Sequence, residues 1–269
     1  MVAGADVLSA VLSDLAAEGT WLDAVVAGLD DTGWLQPTPA PGWTIAHQVA
    51  HLAWTDDQAL RAATDPKAFA ALARRMLAGE LTVDGAAAEG AALPPPTLLR
   101  QWRAGRAELA AALAAVTAGT RLPWYGPPMS AASMATARLM ETWAHGHDIA
   151  EALGVPHPAT HRLRHVAHLA VRTRDFAFTV HGLTPPPDAF AIRLTAPDGS
   201  IWSWGPADAA QSIEGTALEF CLLATQRRHR LDTGLVASGP DADRWLDIAQ
   251  AFAGPPGAGR EPTGTSGAA

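Results

Sequence analysis

Two pairs of side chains in this chain have the spacing of metal ligands. His47 and His51 lie in "TIAHQVAHLAW", and Glu141 and His145 lie in "METWAHGHDIAEALG". Residues four apart on a helix stand one above the other on one face. A histidine from one helix and a glutamate with a histidine from another make a ligand set suited to Zn²⁺ and other first-row divalent cations. Three protein ligands leave coordination positions open, as catalytic sites do. The second segment is otherwise apolar: Leu139, Met140, Trp143, Ala144, Ile149 and Ala150 surround a narrow polar arc of Arg138, Glu141, His145 and Asp148. A helix apolar nearly all round is buried, so its polar arc must face a partner, a metal or a wet pocket. On the first segment His51 shares its arc with Gln48 and Thr55. Solvated helices also carry histidine pairs at this spacing, so spacing alone leaves both readings open. A rival stripe, His161, His165 and His168, contains no carboxylate and has Arg162, Arg164 and Arg172 nearby; it reads as an exposed or interdomain face.

The elements that must position these residues follow from periodicity and from Pro/Gly punctuation. Helices are expected over 3–30, from Thr44 to about residue 64, over 66–80, from Thr97 to Thr117, and from Ser130 to Gly154. The segment "LTVDGAAAEGAALPPP" reads as a loop, as does "GTRLPWYGPPM". Four long helices with Pro-rich connections describe a four-helix bundle over residues 1–155. After Pro158 the pattern changes. A helix over 160–181 precedes alternating segments "DAFAIRLTA", "IWSWG" and "AAQSIEG", and two helices follow over 216–229 and 241–253. The fold class is therefore α+β overall, with a smaller α+β domain over 159–253. The tail, 254–269, has the composition of a disordered segment.

The whole chain sets further bounds. It has 269 residues, 48% of them hydrophobic, and a formal net charge of −8, which argues against nucleic acid or an anionic membrane as a partner. The single cysteine, Cys221, permits no intrachain disulfide and reads as a buried small hydrophobe. No basic leader and no apolar run of membrane-spanning length is present, so a cytoplasmic soluble protein is the expectation.

"PGWTIAHQVAHLAW", followed about ninety residues later by "ARLMETWAHGHDIAEALG", resembles the DinB-like superfamily and, within it, the mycothiol-dependent maleylpyruvate isomerase family. The resemblance covers residues 1–155 and implies a DinB-like four-helix bundle with metal ligands His51, Glu141 and His145 and no fourth protein ligand. His47 lies one turn before the ligand position and His147 points away from Glu141 and His145, so both are expected in packing or support. "SIEGTALEFCLLATQRRHR" and "WLDIAQAFAGPPGAGR" resemble an actinobacterial C-terminal region named for wyosine base formation; the acidic chain lacks the cysteine cluster of a radical iron–sulfur enzyme.

The family likeness implies a divalent metal, most readily Zn, and a low-molecular-weight thiol, mycothiol, as cosubstrate. A cation in an open site favours thiolate over thiol, and the thiolate attacks a small electrophile in an isomerisation or an S-transfer. Two other readings fit the same ligands: a metal-bound hydroxide that hydrolyses its substrate, and a metal- or ligand-binding protein without turnover. Arg227, Arg228 and Arg230 offer carboxylate recognition or a solvated helix end. Trp43, Trp54, Trp124 and Tyr125 are candidate pocket walls, Trp143 suits the core, and "RLPWYGPPMS" is a candidate lid.

Overall fold

The computed structural model describes residues 2–263. The chain forms two compact units that divide between His157 and Pro158. The first contains α1 (Val2–Val26), α2 (Asp31–Trp34), α3 (Ile45–Thr64), α4 (Pro66–Leu77), α5 (Val83–Ala91), α6 (Pro95–Ala115) and α7 (Ala131–Leu153). The long helices α1, α3, α6 and α7 make the bundle. α3 packs on α6 and α7, and α1 packs on α7.

Apolar periodicity accounts for the packing. Leu22, Val26, Ile45, Val49, Leu52, Leu98, Trp102 and Ile149 form one buried cluster, with Trp34 against it. Val11, Ala59, Phe69, Leu109, Leu113, Met134 and Ala135 form a second, further along the bundle. Polar side chains interrupt the apolar face of α3: Gln48, His51, Thr55, Asp56 and Gln58 are all buried.

Two short helices depart from the sequence expectation. α2 lies in the Gly- and Pro-rich stretch after α1, with Asp30 Oδ1 accepting from Gly33 N–H at 2.7 Å. α5 occupies the segment expected to be a loop. Thr82 Oγ1 caps it at Gly85 N, 3.0 Å away, and Ala86 and Ala87 are buried. Alanines carry no periodicity contrast, so the amphipathic signal is faint although their helix propensity is high. α5 packs on α3, where a Cβ at Gly90 would stand 2.8 Å from that of Ala50.

The second unit contains α8 (Leu163–Arg172), α9 (Arg174–Val180), β1 (Ala191–Thr195), β2 (Ile201–Trp204), β3 (Ser212–Thr216), α10 (Ala217–Ala224), β4 (Val236–Ser238) and α11 (Pro240–Ile248). The sheet order is β2-β1-β3-β4. β1 pairs antiparallel with β2, Ile192 opposite Trp204, and parallel with β3, Ile192 opposite Ile213. β4 closes the edge antiparallel to β3. The three expected strands are present. The fourth has only three residues and was too short to show alternation. The single helix expected over 160–181 breaks at Thr173, whose hydroxyl donates to Gln250 O at 2.7 Å. The helix expected over 216–229 stops at Thr225. Gln226 then takes the left-handed conformation, φ 60°, and the chain leaves the helix axis. Residues 254–263 of the tail form no helix or strand, and Thr263 N–H donates to Asp232 Oδ2 at 2.9 Å. The remaining tail, 264–269, lies outside the described residues.

Candidate metal centre

α3 and α7 carry the candidate ligating residues, and both helices start on strong caps. Thr44 is extended, φ −97° and ψ 174°, and its N–H donates to Nδ1 of His47 at 3.3 Å in a capping box. The imidazole of His47 is thereby committed to the helix start. α7 begins with Ser130 Oγ accepting from Ser133 N–H at 3.1 Å. It ends at Gly154, φ 65°, a left-handed cap that glycine adopts without a Cβ penalty.

These frames bring His51, Glu141 and His145 together. One ligand atom from each lies within 4.8 Å of the others. His51 Nε2 is 3.4 Å from Glu141 Oε2, and His145 Nε2 is 3.2 Å from the same oxygen. Ligand atoms on a tetrahedral Zn²⁺ stand about 3.3 Å apart, given bond lengths near 2.05 Å. The two imidazole rings are 4.5 Å apart, centroid to centroid. His51 and His145 are 8% and 9% exposed, so the group is largely shielded from solvent.

A hydrogen-bond chain fixes the tautomer of His145. Gln48 is fully buried; its Nε2 donates to Thr38 Oγ1 at 2.8 Å, and the Thr38 hydroxyl donates to Trp43 O at 2.9 Å. The amide oxygen of Gln48 therefore faces His145 Nδ1 and accepts its proton. Nε2 of a neutral His145 is then a lone pair directed at a carboxylate oxygen. Two acceptors at this distance repel. A second proton on the ring removes the repulsion, and so does a metal cation between them. The residues present thus fit a divalent cation, and Gln48 supplies the orienting partner that metal-binding histidines need. His51 lacks such a partner: its Nδ1 is buried with no hydrogen bond among the described residues. Its ring is held by packing instead, 5.3 Å from Trp43 and 6.3 Å from Trp54.

Electrostatics favour a charged Glu141. Burial opposes its ionisation, but hydrogen bonds with His145 and His51, and the nearby Arg138, hold its carboxyl well below the usual carboxylate range. Arg138 is itself buried, with Nε donating to Asp56 Oδ1 at 2.9 Å and Nη2 to Thr55 Oγ1 at 2.5 Å. Burial pushes the Asp56 carboxyl up, while Arg138 pulls against that shift.

The other chemistry-bearing residues have different places. Asp148 is buried outside the ligand group. His147 packs its ring on Trp143 at 5.8 Å, and Trp143 is in the core. Among the described residues, His161, His165 and His168 join no group of metal-ligand type. Arg230 pairs with Asp243 and Asp247, and Arg227 donates to Thr225 O at 2.7 Å. Trp43 stacks on His145 at 5.9 Å and donates its Nε1 proton to Asp84 Oδ1 of α5 at 3.0 Å, so it walls the centre. Trp124 stacks on Phe69 at 5.6 Å, and Tyr125 donates its hydroxyl proton to Gln58 Oε1 at 3.2 Å. Burial pushes the Tyr125 phenol up to about 12, so it stays protonated. Gln48 and Asp84 are the contributors whose roles the sequence did not reveal. A glutamine on an apolar helix face, one turn before a ligand position, is the signal that would have marked the first. Asp84 sits in α5, whose sequence carries little helical periodicity.

Residues 15–150 match the mycothiol maleylpyruvate isomerase N-terminal domain. The chain belongs to that family. Residues 186–237 match the family described as wyosine base formation. Two uncharacterized proteins of Mycobacterium tuberculosis, from strains CDC 1551 and H37Rv, are each 58% identical over 250 residues, which is 93% of this chain and 97% of theirs. Crystal structures of the mycothiol-dependent maleylpyruvate isomerase and of a histidine-to-alanine mutant of it share the fold, with TM-scores of 0.58 at 17% and 16% identity. Each comparison covers 87% of this chain and 95% of the other. Within the mycothiol maleylpyruvate isomerase N-terminal domain family, this member keeps a His/Glu/His group that could hold a metal between α3 and α7. Among the described residues, no helix is long and apolar enough to cross a membrane.

Proposed function

We propose that the protein binds a divalent cation, most readily Zn²⁺, at His51, Glu141 and His145. It would use a small thiol, with mycothiol as the expected one, to isomerise a small electrophile or to transfer the thiol's sulfur onto it, the thiol proton going to solvent. The observation that carries this reading is the opposition of His145 Nε2 and the Glu141 carboxylate, with Gln48 fixing the imidazole from behind. A cation at this position would supply the charge that favours thiolate over thiol at neutral pH.

The chain's own residues support the rest. Glu141 would bring a full negative charge to a bound cation, and His51 and His145 would bring neutral imidazole nitrogens. Trp43 and Trp54 exclude water beside the ligands, which strengthens every charge interaction there. Cys221, the one cysteine, is buried, and burial raises its thiol well above the ordinary range, so it is no nucleophile. The attacking sulfur must come from a cosubstrate. The net charge of −8 fits small-molecule partners better than nucleic acid or an anionic membrane.

The test is a screen of thiols against electrophiles on protein with a defined metal content. Activity is expected only with both metal and thiol, to vanish on chelation and to return with divalent metal. It should persist in Cys221→Ala. Turnover by hydrolysis without thiol would overturn thiol transfer in favour of a metal-activated water.

A further inference from the structure

A cavity of about 510 Å³ in the second unit combines unpaired hydrogen-bond donors with an apolar wall. It lies where the chain leaves α10, beside the end of α11 and the glycine-rich stretch 257–260. Leu223, Leu246 and Ile248 form the apolar side. The polar side has Arg228, Arg230 and Arg260 against one carboxylate, Asp247.

That carboxylate is already engaged. Asp247 Oδ1 accepts from Arg230 Nη1 at 2.6 Å, and Arg230 Nη2 donates to Asp243. Arg228 differs: it is exposed and makes no hydrogen bond or ion pair among the described residues. Glu219 and Asp232 feel its charge but are bonded elsewhere, Glu219 to Thr216 and Gly234, and Asp232 to Thr263. The backbone N–H groups of Gly257, Ala258 and Gly259 also have no acceptor among the described residues.

Gln226 adds strain to the same wall. It is the one non-glycine residue with a left-handed φ, 60°, among the described residues. Arg227 N–H donates to Leu222 O at 2.8 Å and Gln226 N–H to Leu223 O at 2.9 Å, a helix end that usually takes glycine at this position. Glutamine accepts a strain that glycine would avoid, and it brings a carboxamide to the cavity. Gly257 leaves room for that group, since a Cβ there would stand 2.5 Å from Gln226 Oε1.

Phosphate suits this donor set. Two of its oxygens match the guanidinium fork, and a third can accept from successive backbone N–H groups. We propose that this cavity binds a phosphate monoester of a small, partly apolar molecule. The phosphate sits on Arg228 and the 257–259 N–H groups, with Gln226 Nε2 donating, and the body lies against Leu223, Leu246 and Ile248. The volume is in the range of small-molecule sites, about 300–1,000 Å³.

The experiment titrates the full chain, stripped of metal and then freed of chelator, with phenyl phosphate at about pH 7.5. Methyl NMR shifts of Leu223, Leu246 and Ile248 locate binding, and calorimetry measures it. Saturable binding with a Kd of about 1 mM or tighter is expected. Arg228→Gln should weaken it by about tenfold or more. Arg228→Lys keeps the charge but loses the fork, and should weaken it by at least about threefold. Gly257→Ala, which pushes the Gln226 amide aside, should weaken it as well. Arg100→Gln, at an exposed arginine of the first unit, should leave it unchanged. Benzoate, with two oxygens, should bind more weakly than phenyl phosphate. No saturation up to about 10 mM would overturn the proposal. So would undiminished affinity in Arg228→Gln, wild-type affinity in Arg228→Lys, which diffuse attraction to a positive surface would give, or benzoate binding as tightly as phenyl phosphate.

Discussion

Gln48→Leu removes the acceptor behind His145 while keeping an apolar side chain of similar size in a fully buried position. Without that acceptor, His145 Nδ1–H has no directed partner. The ring can rotate or take the other tautomer, which puts a proton where a metal would bind. Loss of such an orienting bond costs about 10- to 100-fold in metal affinity, equivalent to about 1.4–2.8 kcal/mol. Gln48→Glu should separate geometry from packing. Its carboxylate restores a stronger acceptor for Nδ1–H, but the donor to Thr38 Oγ1 is lost. Zinc affinity in Gln48→Glu should therefore exceed that of Gln48→Leu, at some cost in stability from a buried charge. Competition against a chelating indicator at pH 7.5, with thermal unfolding of each metal-free variant alongside, makes the measurement. Wild-type affinity in a folded Gln48→Leu would refute the tautomer argument.

Three further outcomes follow from the same structure. Arg138→Met leaves Asp56 buried without its partner and should destabilise the metal-free protein by about 3–5 kcal/mol in denaturant unfolding, whereas Arg138→Met with Asp56→Leu should recover much of that loss. Asp23 has its carboxyl lowered, first by the hydrogen bond from Arg103 and against a burial effect that raises it. A lowered folded-state pKa gives stability that is present above the unfolded value of about 3.9 and lost as pH falls through the folded one. Asp23→Asn should therefore lose part of the acid-induced fall in stability below about pH 4, by no more than about 1 kcal/mol, because Arg103 is half-exposed. Cys221 should resist thiol reagents at pH 8 in the folded protein and react fully in denaturant, since burial raises its thiol and its Sγ contacts Leu163 O at 3.4 Å.

Much of the bundle was legible because its long helices alternate apolar and polar faces with clear stops. Thr44, Ser130 and Gly154 cap as their residue types dictate. The grouping of Glu141 and His145 was legible for a related reason: both are polar on a helix that is otherwise buried. What the sequence hid is local or tertiary. α5 is mostly alanine and glycine, so little periodicity marks it. The break between α8 and α9 falls at Thr173, whose hydroxyl donates to residue 250, a contact that no local window contains. Arg138 and Asp148 share the arc with Glu141 and His145, yet Arg138 turns to Asp56, a choice made by a partner 82 residues away. The commitment of Gln48 to His145 is of the same kind, spanning 97 residues.

The central claim is that one cation sits on His51, Glu141 and His145. Its most direct test is zinc stoichiometry and X-ray absorption on wild-type protein and on His51→Ala, Glu141→Gln and His145→Ala. The account predicts one tightly held zinc in the wild type, with two nitrogen ligands at about 2.0–2.1 Å and a carboxylate oxygen at about 2.0–2.2 Å, and loss of tight binding in each variant. Undiminished zinc content in His51→Ala or His145→Ala, with the fold intact, would contradict it.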